Sequence, residues 1–341
     1  MELLFLVCLF LFGVLFGSFS SVVIYRLKSE EKGILGGRSH CANCNHILDA
    51  LDLIPIFSWL VNKARCRYCK SKISSIYPLL ELSTGTLFML IGYFLIDPNL
   101  ILSGNIAEII KLLFWLSIGF ITIIYTFYDI LFLEIHEGIM LTGILLAIFG
   151  VIIQSLGIID IISTLTFNLN ANLSSIYISI LILLLSLIGF YTIMLIGLHE
   201  IWDFLILVGI GALIYVFSVF FSNGEALNTF PAISATVGAF GIFTFFFLQI
   251  VISRGAWLGG GDLRIAILIG LLLGISLTVA GTFMTYIAGS LIGIVVIIIS
   301  KIKNKGGKLN TQIPFGPFLA IGFFVTIFYQ NEILNLLKLY F

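Results

Sequence analysis

Apolar residues run along this chain in long blocks separated by short polar interruptions. Blocks of about twenty residues are each long enough to cross roughly 30 Å of hydrocarbon as a helix. They fall at about 3–25, 77–96, 107–128, 138–158, 174–197, 203–222, 231–252, 264–276, 279–300 and 314–337. The eighth is short and Gly-rich, and Gly270, Gly274 and Gly281 blur its boundary with the ninth. The pattern predicts an all-α polytopic membrane protein of about ten transmembrane helices. The chain divides into a first span (1–25), a polar loop (26–76) and a bundle of helices (77–341). Segments 97–106, 159–173 and 223–230 are short and rich in Asn, Ser and Thr, as loops are.

Composition agrees with that reading. The hydrophobic fraction is 60% and the charged fraction 10%, with a mean hydropathy of +1.19. A soluble domain of this length has no use for so much apolar surface. The formal net charge of zero hides an asymmetry that sets orientation. Of 17 Lys and Arg, nine lie between Arg26 and Lys72 and four between Lys301 and Lys308. Such clusters mark the cytoplasmic side. Ten crossings then put both termini outside and place 26–76, 129–137, 198–202, 253–263 and 301–313 inside. Lys111 and Lys338 are left on or near the outer side. The first basic residue, Arg26, follows the first apolar block, which points to an uncleaved first span rather than a signal peptide.

The loop 26–76 carries Cys41-x2-Cys44 and, twenty-one residues later, Cys66-x2-Cys69. Each pair offers two thiolates from one tight turn, and two such turns complete a tetrahedron around Zn²⁺. Four Cys ligands leave no open position, so the expected role is structural. Two disulfides or four unrelated thiols are the alternatives, and a cytoplasmic, reducing location disfavours the disulfides. Cys8, inside an apolar run, reads as a small hydrophobe.

Ionisable residues beside membrane helices are costly and point to function. Asp129 ends the third block, and Asp262 opens the eighth after Gly259-Gly260-Gly261. Both fall on the predicted cytoplasmic side, 133 positions apart. Three glycines would let backbone approach closely and take positive φ, so that an extended substrate segment could lie against the turn. Asp262 as a plain helix cap, and Asp129 as a boundary residue, are the blander readings. Two carboxylates sharing a site keep one proton between them near neutral pH. The ionised partner then takes a proton from water while the neutral one polarises a peptide carbonyl. That is aspartic-protease chemistry. His136, Glu137, His199 and Glu200 could suggest a second metal site but fit hydrated helix boundaries equally well.

In order along the chain, these motifs resemble the bacterial type IV prepilin leader peptidases, membrane aspartic proteases of the Gly-x-Gly-Asp kind. The resemblance is carried by Gly17–Leu27, Asp52-Leu53-Ile54-Pro55, Ser58-Trp59, the two Cys pairs, Tyr77–Leu82, Asp129, Gly259–Asp262 and Pro314–Phe318. It implies Asp129 and Asp262 as the catalytic pair, and prepilins or pseudopilins of type IV pilus and type II secretion systems as substrates. It also implies methylation of the new N-terminus with S-adenosylmethionine, with 26–76 as the methyltransferase region. It places the chain in the bacterial inner membrane, with no nucleic-acid partner. The chain departs from the family in Ile135-His136-Glu137 where Ile-Pro-Asp is usual, in Ser21 for Asn, in Arg264 for Lys, and in two extra spans within 174–222. The rival reading is an ion-coupled transporter with Asp129 and Asp262 on the ion path and a regulatory zinc loop.

Overall fold

A computed structural model describes residues 2–29, 39–41, 43–166, 172–196, 200–222, 224–303 and 313–340. His199, and the part of the expected inner loop at 304–312, lie outside the described residues. The described residues form helices and no strand, apart from two isolated antiparallel bridges. The order is α1 (Glu2–Ser29), α2 (Phe57–Val61), α3 (Ile76–Leu95), α4 (Pro98–Leu102), α5 (Ile106–Phe132) and α6 (Glu137–Ser155). It continues with α7 (Leu173–Ile196), α8 (Glu200–Phe220), α9 (Pro231–Ser253), α10 (Gly260–Lys303), α11 (Gly316–Phe328) and α12 (Gln330–Tyr340). Among the described residues, eight helices are long and apolar enough to cross a membrane, or nine if a bent pair counts as one span. The protein is an all-α, multi-pass membrane protein built as two compact units, Met1–Leu131 and Phe132–Phe341.

In the first unit α1 and α3 pack backbone to backbone. A Cβ on Gly13 would stand 2.8 Å from the Cα of Gly85, and one on Gly17 2.6 Å from the Cα of Glu81. Small residues at such contacts let membrane helices approach closely, where dispersion and not water drives association. Phe88, Ile91, Trp115 and Ile118 fill the core of this unit, and Phe16 meets Phe120 edge to face.

In the second unit α9 is the central helix. Two expectations change here. The eighth and ninth spans were separated at 277–278, but the break falls at Gly274, with φ 64° and ψ −173° inside α10. The chain folds back there, because Gly281 lies against Leu273, eight residues earlier. A straight helix would hold those residues about 12 Å apart along its axis. A left-handed φ with Ser234 and Leu165 close by is a place only glycine fits. The exposed backbone groups are taken up by side chains. Ile275 N–H donates to Ser234 Oγ, and Thr164 Oγ1 donates to the carbonyl of Leu272. Such compensation is what permits a broken helix at membrane depth.

The tenth span, expected to be continuous over 314–337, is instead bent by 78° between α11 and α12. Asn331, Glu332 and Asn335 make the start of α12 more polar than α11. The segment after α6, expected to be a plain loop, is partly buried around Gln154. That side chain donates to Asp160 and to the carbonyl of Leu165, and it accepts from the amides of Ile161 and Ile162.

Candidate functional site

The four cysteines are brought together. Their sulfurs all lie within 4.8 Å of one another, with Cys41 Sγ 3.9 Å from Cys69 Sγ. That is the spacing of thiolates around one metal and far longer than an S–S bond. The two turns that carry them share one design. In the first, Cys41 N–H donates to the carbonyl of His46, and Asn45 N–H donates back to Cys41. In the second, Cys66 and Lys70 repeat the pattern with Ser71. Asn45 and Lys70, each four residues after the leading Cys, take φ of 54° and 60°. An isolated bridge closes each turn, His40 with Ile47 and Arg65 with Lys72. Ser71 donates to Cys69 through its hydroxyl and its amide and holds that thiol down at about 6. At Cys44 the His46 amide works in the same direction, but desolvation and the neighbouring Cys41 and Cys69 push the thiol up to about 11. An all-thiol set with one thiol already ionised at neutral pH fits a soft divalent cation.

The second turn also braces the loop. Tyr68 Oη donates to Asp49 at 3.0 Å and to Asp52 at 3.1 Å, and its ring lies tilted against His46, centroids 3.7 Å apart. Desolvation, with those two acceptors, pushes the Tyr68 phenol up to about 12, so it stays a donor. Asp49 and Asp52 fix a short 3₁₀ turn over Ala50–Leu53. The turn delivers Ile54-Pro55-Ile56 to α3, where the amide of Ile56 donates to the buried Glu81 at 2.6 Å. Sequence reasoning assigned no role to Tyr68 or Glu81. An acidic residue inside the apolar run that follows Tyr77-Pro78 was the available signal for the second.

Asp129 belongs to the first unit and Asp262 to the second. Asp129 is buried in the last turn of α5, one turn beyond the buried Tyr125. Asp262 is buried in the first turn of α10. Its Oδ2 accepts from the amide of Gly259 at 3.0 Å, while its own amide donates to the carbonyl of Gly259 at 3.1 Å. This reciprocal pair, at the helix end whose dipole favours negative charge, fixes the carboxylate.

The glycine expectation is corrected in part. None of Gly259, Gly260 and Gly261 takes positive φ, and that conformation falls to Arg254 and Gly255 at the end of α9. Only Gly261 is crowded, since a Cβ there would stand 2.9 Å from Ile135 Cδ1. Glu137 pairs with Arg264 at 3.2 Å. Helix α7 brings Tyr191 within electrostatic range of that pair. Arg264 Nε, Tyr191 Oη and Gln249 Nε2 are buried and make no hydrogen bond.

Residues 11–95 match the family model described as the Bacterial Peptidase A24 N-terminal domain. A prepilin leader peptidase/N-methyltransferase of Myxococcus xanthus is 48% identical over 85 residues, 25% of this chain and 25% of that protein. One from Klebsiella pneumoniae is 41% identical over 110 residues, 31% of this chain and 48% of that protein. The aligned parts of these relatives thus span from a quarter to about half of their own lengths. A third, from Stutzerimonas stutzeri, is 25% identical but aligned over 97% of this chain and 93% of its own. No solved structure matches. Residues 11–95 are therefore similar to the Bacterial Peptidase A24 N-terminal domain, and the chain resembles a prepilin leader peptidase/N-methyltransferase along nearly its whole length.

Proposed function

We propose that this protein cleaves the leader of type IV prepilins and pseudopilins at the cytoplasmic face of the bacterial inner membrane, by aspartic-protease chemistry at Asp129 and Asp262. The observation that carries the reading is the alignment along 97% of the chain with a protein named for that activity. Burial of both carboxylates at helix ends, one at the close of α5 and one at the start of α10, supports it. One carboxylate takes a proton from the attacking water. The other, protonated, donates to the scissile carbonyl and takes that proton back as the tetrahedral intermediate collapses, while the first passes its newly gained proton to the leaving amine. The Gly259 amide holds the Asp262 carboxyl in place. A spanning substrate helix would present its leader at the inner surface, where the basic loops point. The rival transporter reading gains no support from the comparisons.

The Cys41, Cys44, Cys66 and Cys69 set holds one Zn²⁺ as a structural ion, closing two turns that lack an apolar core of their own. The protein also N-methylates the cleaved product with S-adenosylmethionine, a reading that rests on the relatives' shared name. The test is cleavage of a prepilin in membranes by the wild type and by Asp129→Asn and Asp262→Asn. Leader removal by wild type alone, insensitive to a chelator on the time scale of the assay, is the expected result. Cleavage by either Asn variant at the wild-type rate would overturn the assignment.

A further inference from the structure

The segment between the two cysteine pairs carries exposed apolar side chains that take no part in the metal cluster. Phe57, Leu60 and Val61, on one side of α2, are 60%, 59% and 61% exposed. Leu51 and Ile54, just before α2, are exposed as well. Trp59 turns the other way, and its Nε1 donates to the carbonyl of Ile73 at 3.3 Å. An outward apolar face of this kind marks a contact with something apolar.

Depth says what that is. Ile56, at the start of α2, donates its amide to Glu81 on α3. The register of α1 on α3 sets Gly13 against Gly85 and Gly17 against Glu81. By that register Tyr77 to Glu81 run beside Ser21 to Gly17, which lie about 7–13 Å along α1 on the membrane side of Arg26. The bond to Glu81 therefore holds the start of α2 where α1 is still inside its apolar block. At that level α1 and α3 turn Phe19, Leu79 and Leu82 outward, so α2 extends a surface that faces lipid.

Charge fits the same partner. After α2 the chain carries Lys63, Arg65, Arg67, Lys70 and Lys72, all exposed. The last four ride on the second cysteine turn, which the Trp59 bond to Ile73 ties to α2. Asp49 and Asp52 both accept from Tyr68, and Asp52 also lies 3.9 Å from Arg67. An apolar helix at interfacial depth, then a basic turn, meets acyl chains and anionic headgroups in that order.

We propose that the Phe57–Leu60–Val61 face of α2 is embedded in the leaflet that the loop faces, with Lys63 and the second cysteine turn on anionic lipid headgroups. The inference holds whichever reaction the protein performs, because it uses only α1, α3 and the loop between them.

The experiment uses the full chain, purified without chelator, in nanodiscs of phosphatidylcholine or of phosphatidylglycerol. A photoreactive benzoylphenylalanine replaces Phe57, and in a second preparation Leu60, and the adducts formed on irradiation are weighed. Lipid adducts are expected at both positions, with or without an added peptide covering a prepilin leader and its apolar segment. Trypsin cleavage after Lys63 and Arg65 should be about tenfold slower in phosphatidylglycerol than in phosphatidylcholine, and high salt should erase the difference. Phe57→Ser combined with Leu60→Ser should lose that protection with helix and metal content unchanged. Adducts with the peptide in place of lipid would give this face to a substrate, and adducts with a second copy would give it to a dimer. Either result overturns the inference. So would the absence of lipid adducts, or cleavage equally fast in both kinds of nanodisc.

Discussion

Ile56 carries a backbone conformation that its side chain disfavours, with φ 61° and ψ −51°. The Phe57 amide donates to the carbonyl of Pro55, which makes this a γ-turn of the rare, strained kind. A β-branched residue holds such a turn only when its surroundings over-determine it. Here the surroundings are Glu81, whose carboxylate accepts from the Ile56 amide, and Tyr68, which pins Asp49 and Asp52 just before the turn. Glu81→Leu would leave a part-buried N–H unpaired at a cost of about 1–3 kcal/mol. Thermal unfolding in detergent should show the loss, and Glu81→Gln, which keeps an acceptor oxygen, should recover most of it. Equal losses in the two variants would mean that packing, and not the hydrogen bond, matters at this position. The cysteines were legible in sequence because a metal's ligand spacing is local and repeated. The tie between Ile56 and Glu81 was not, because nothing about an isoleucine announces a γ-turn and its partner lies 25 positions away. Gly259 to Asp262 was legible as a motif, but crowding at Gly261 alone depends on Ile135 from another segment.

The helices were legible wherever one apolar block makes one straight helix, as in α3, α5, α6 and α9. They were misread where a block is broken by its packing. At Gly274 a left-handed residue wedged against Ser234 and Leu165 reverses the chain. Composition alone shows only that glycine is frequent there. Gly274→Ala should destabilise the second unit by on the order of 2–4 kcal/mol, from backbone strain plus the clash. Gly293→Ala, on the same helix with open space around it, should be neutral. Equal melting of the two variants would contradict the account of the break. The two Cys turns are elements of the same rank, each closed by backbone bonds but with little apolar surface to bury. Purified protein should hold about one zinc per chain, and Cys41→Ser or Cys66→Ser should lower that sharply. With zinc removed, proteolysis within 39–73 should rise before the helices melt, because Tyr68 loses the turn that aims it. A loop equally protected with and without metal would count against a structural ion.

For the whole molecule, the proposed orientation follows from the basic residues in 26–76 and 301–308 and puts the loop 26–76, Asp129 and Asp262 on the cytoplasmic side. In a Cys8→Ser background, an impermeant thiol reagent should miss Cys41, Cys44, Cys66 and Cys69 in intact cells. It should label them after permeabilisation and chelation. Labelling before permeabilisation would invert the topology. Helices α7 and α8 were found by hydropathy, but hydropathy could not show that α7 places Tyr191 near Glu137 and Arg264. The central proposal is that Asp129 and Asp262 act as a single proton relay. The most direct measurement is the rate of prepilin cleavage in membranes by Asp129→Asn, Asp262→Asn and the double variant, each confirmed to fold. Each single variant should lose about a thousandfold or more, and the double should be hardly slower than either, since half a relay does no work. Single variants with modest losses that multiply in the double would contradict the account.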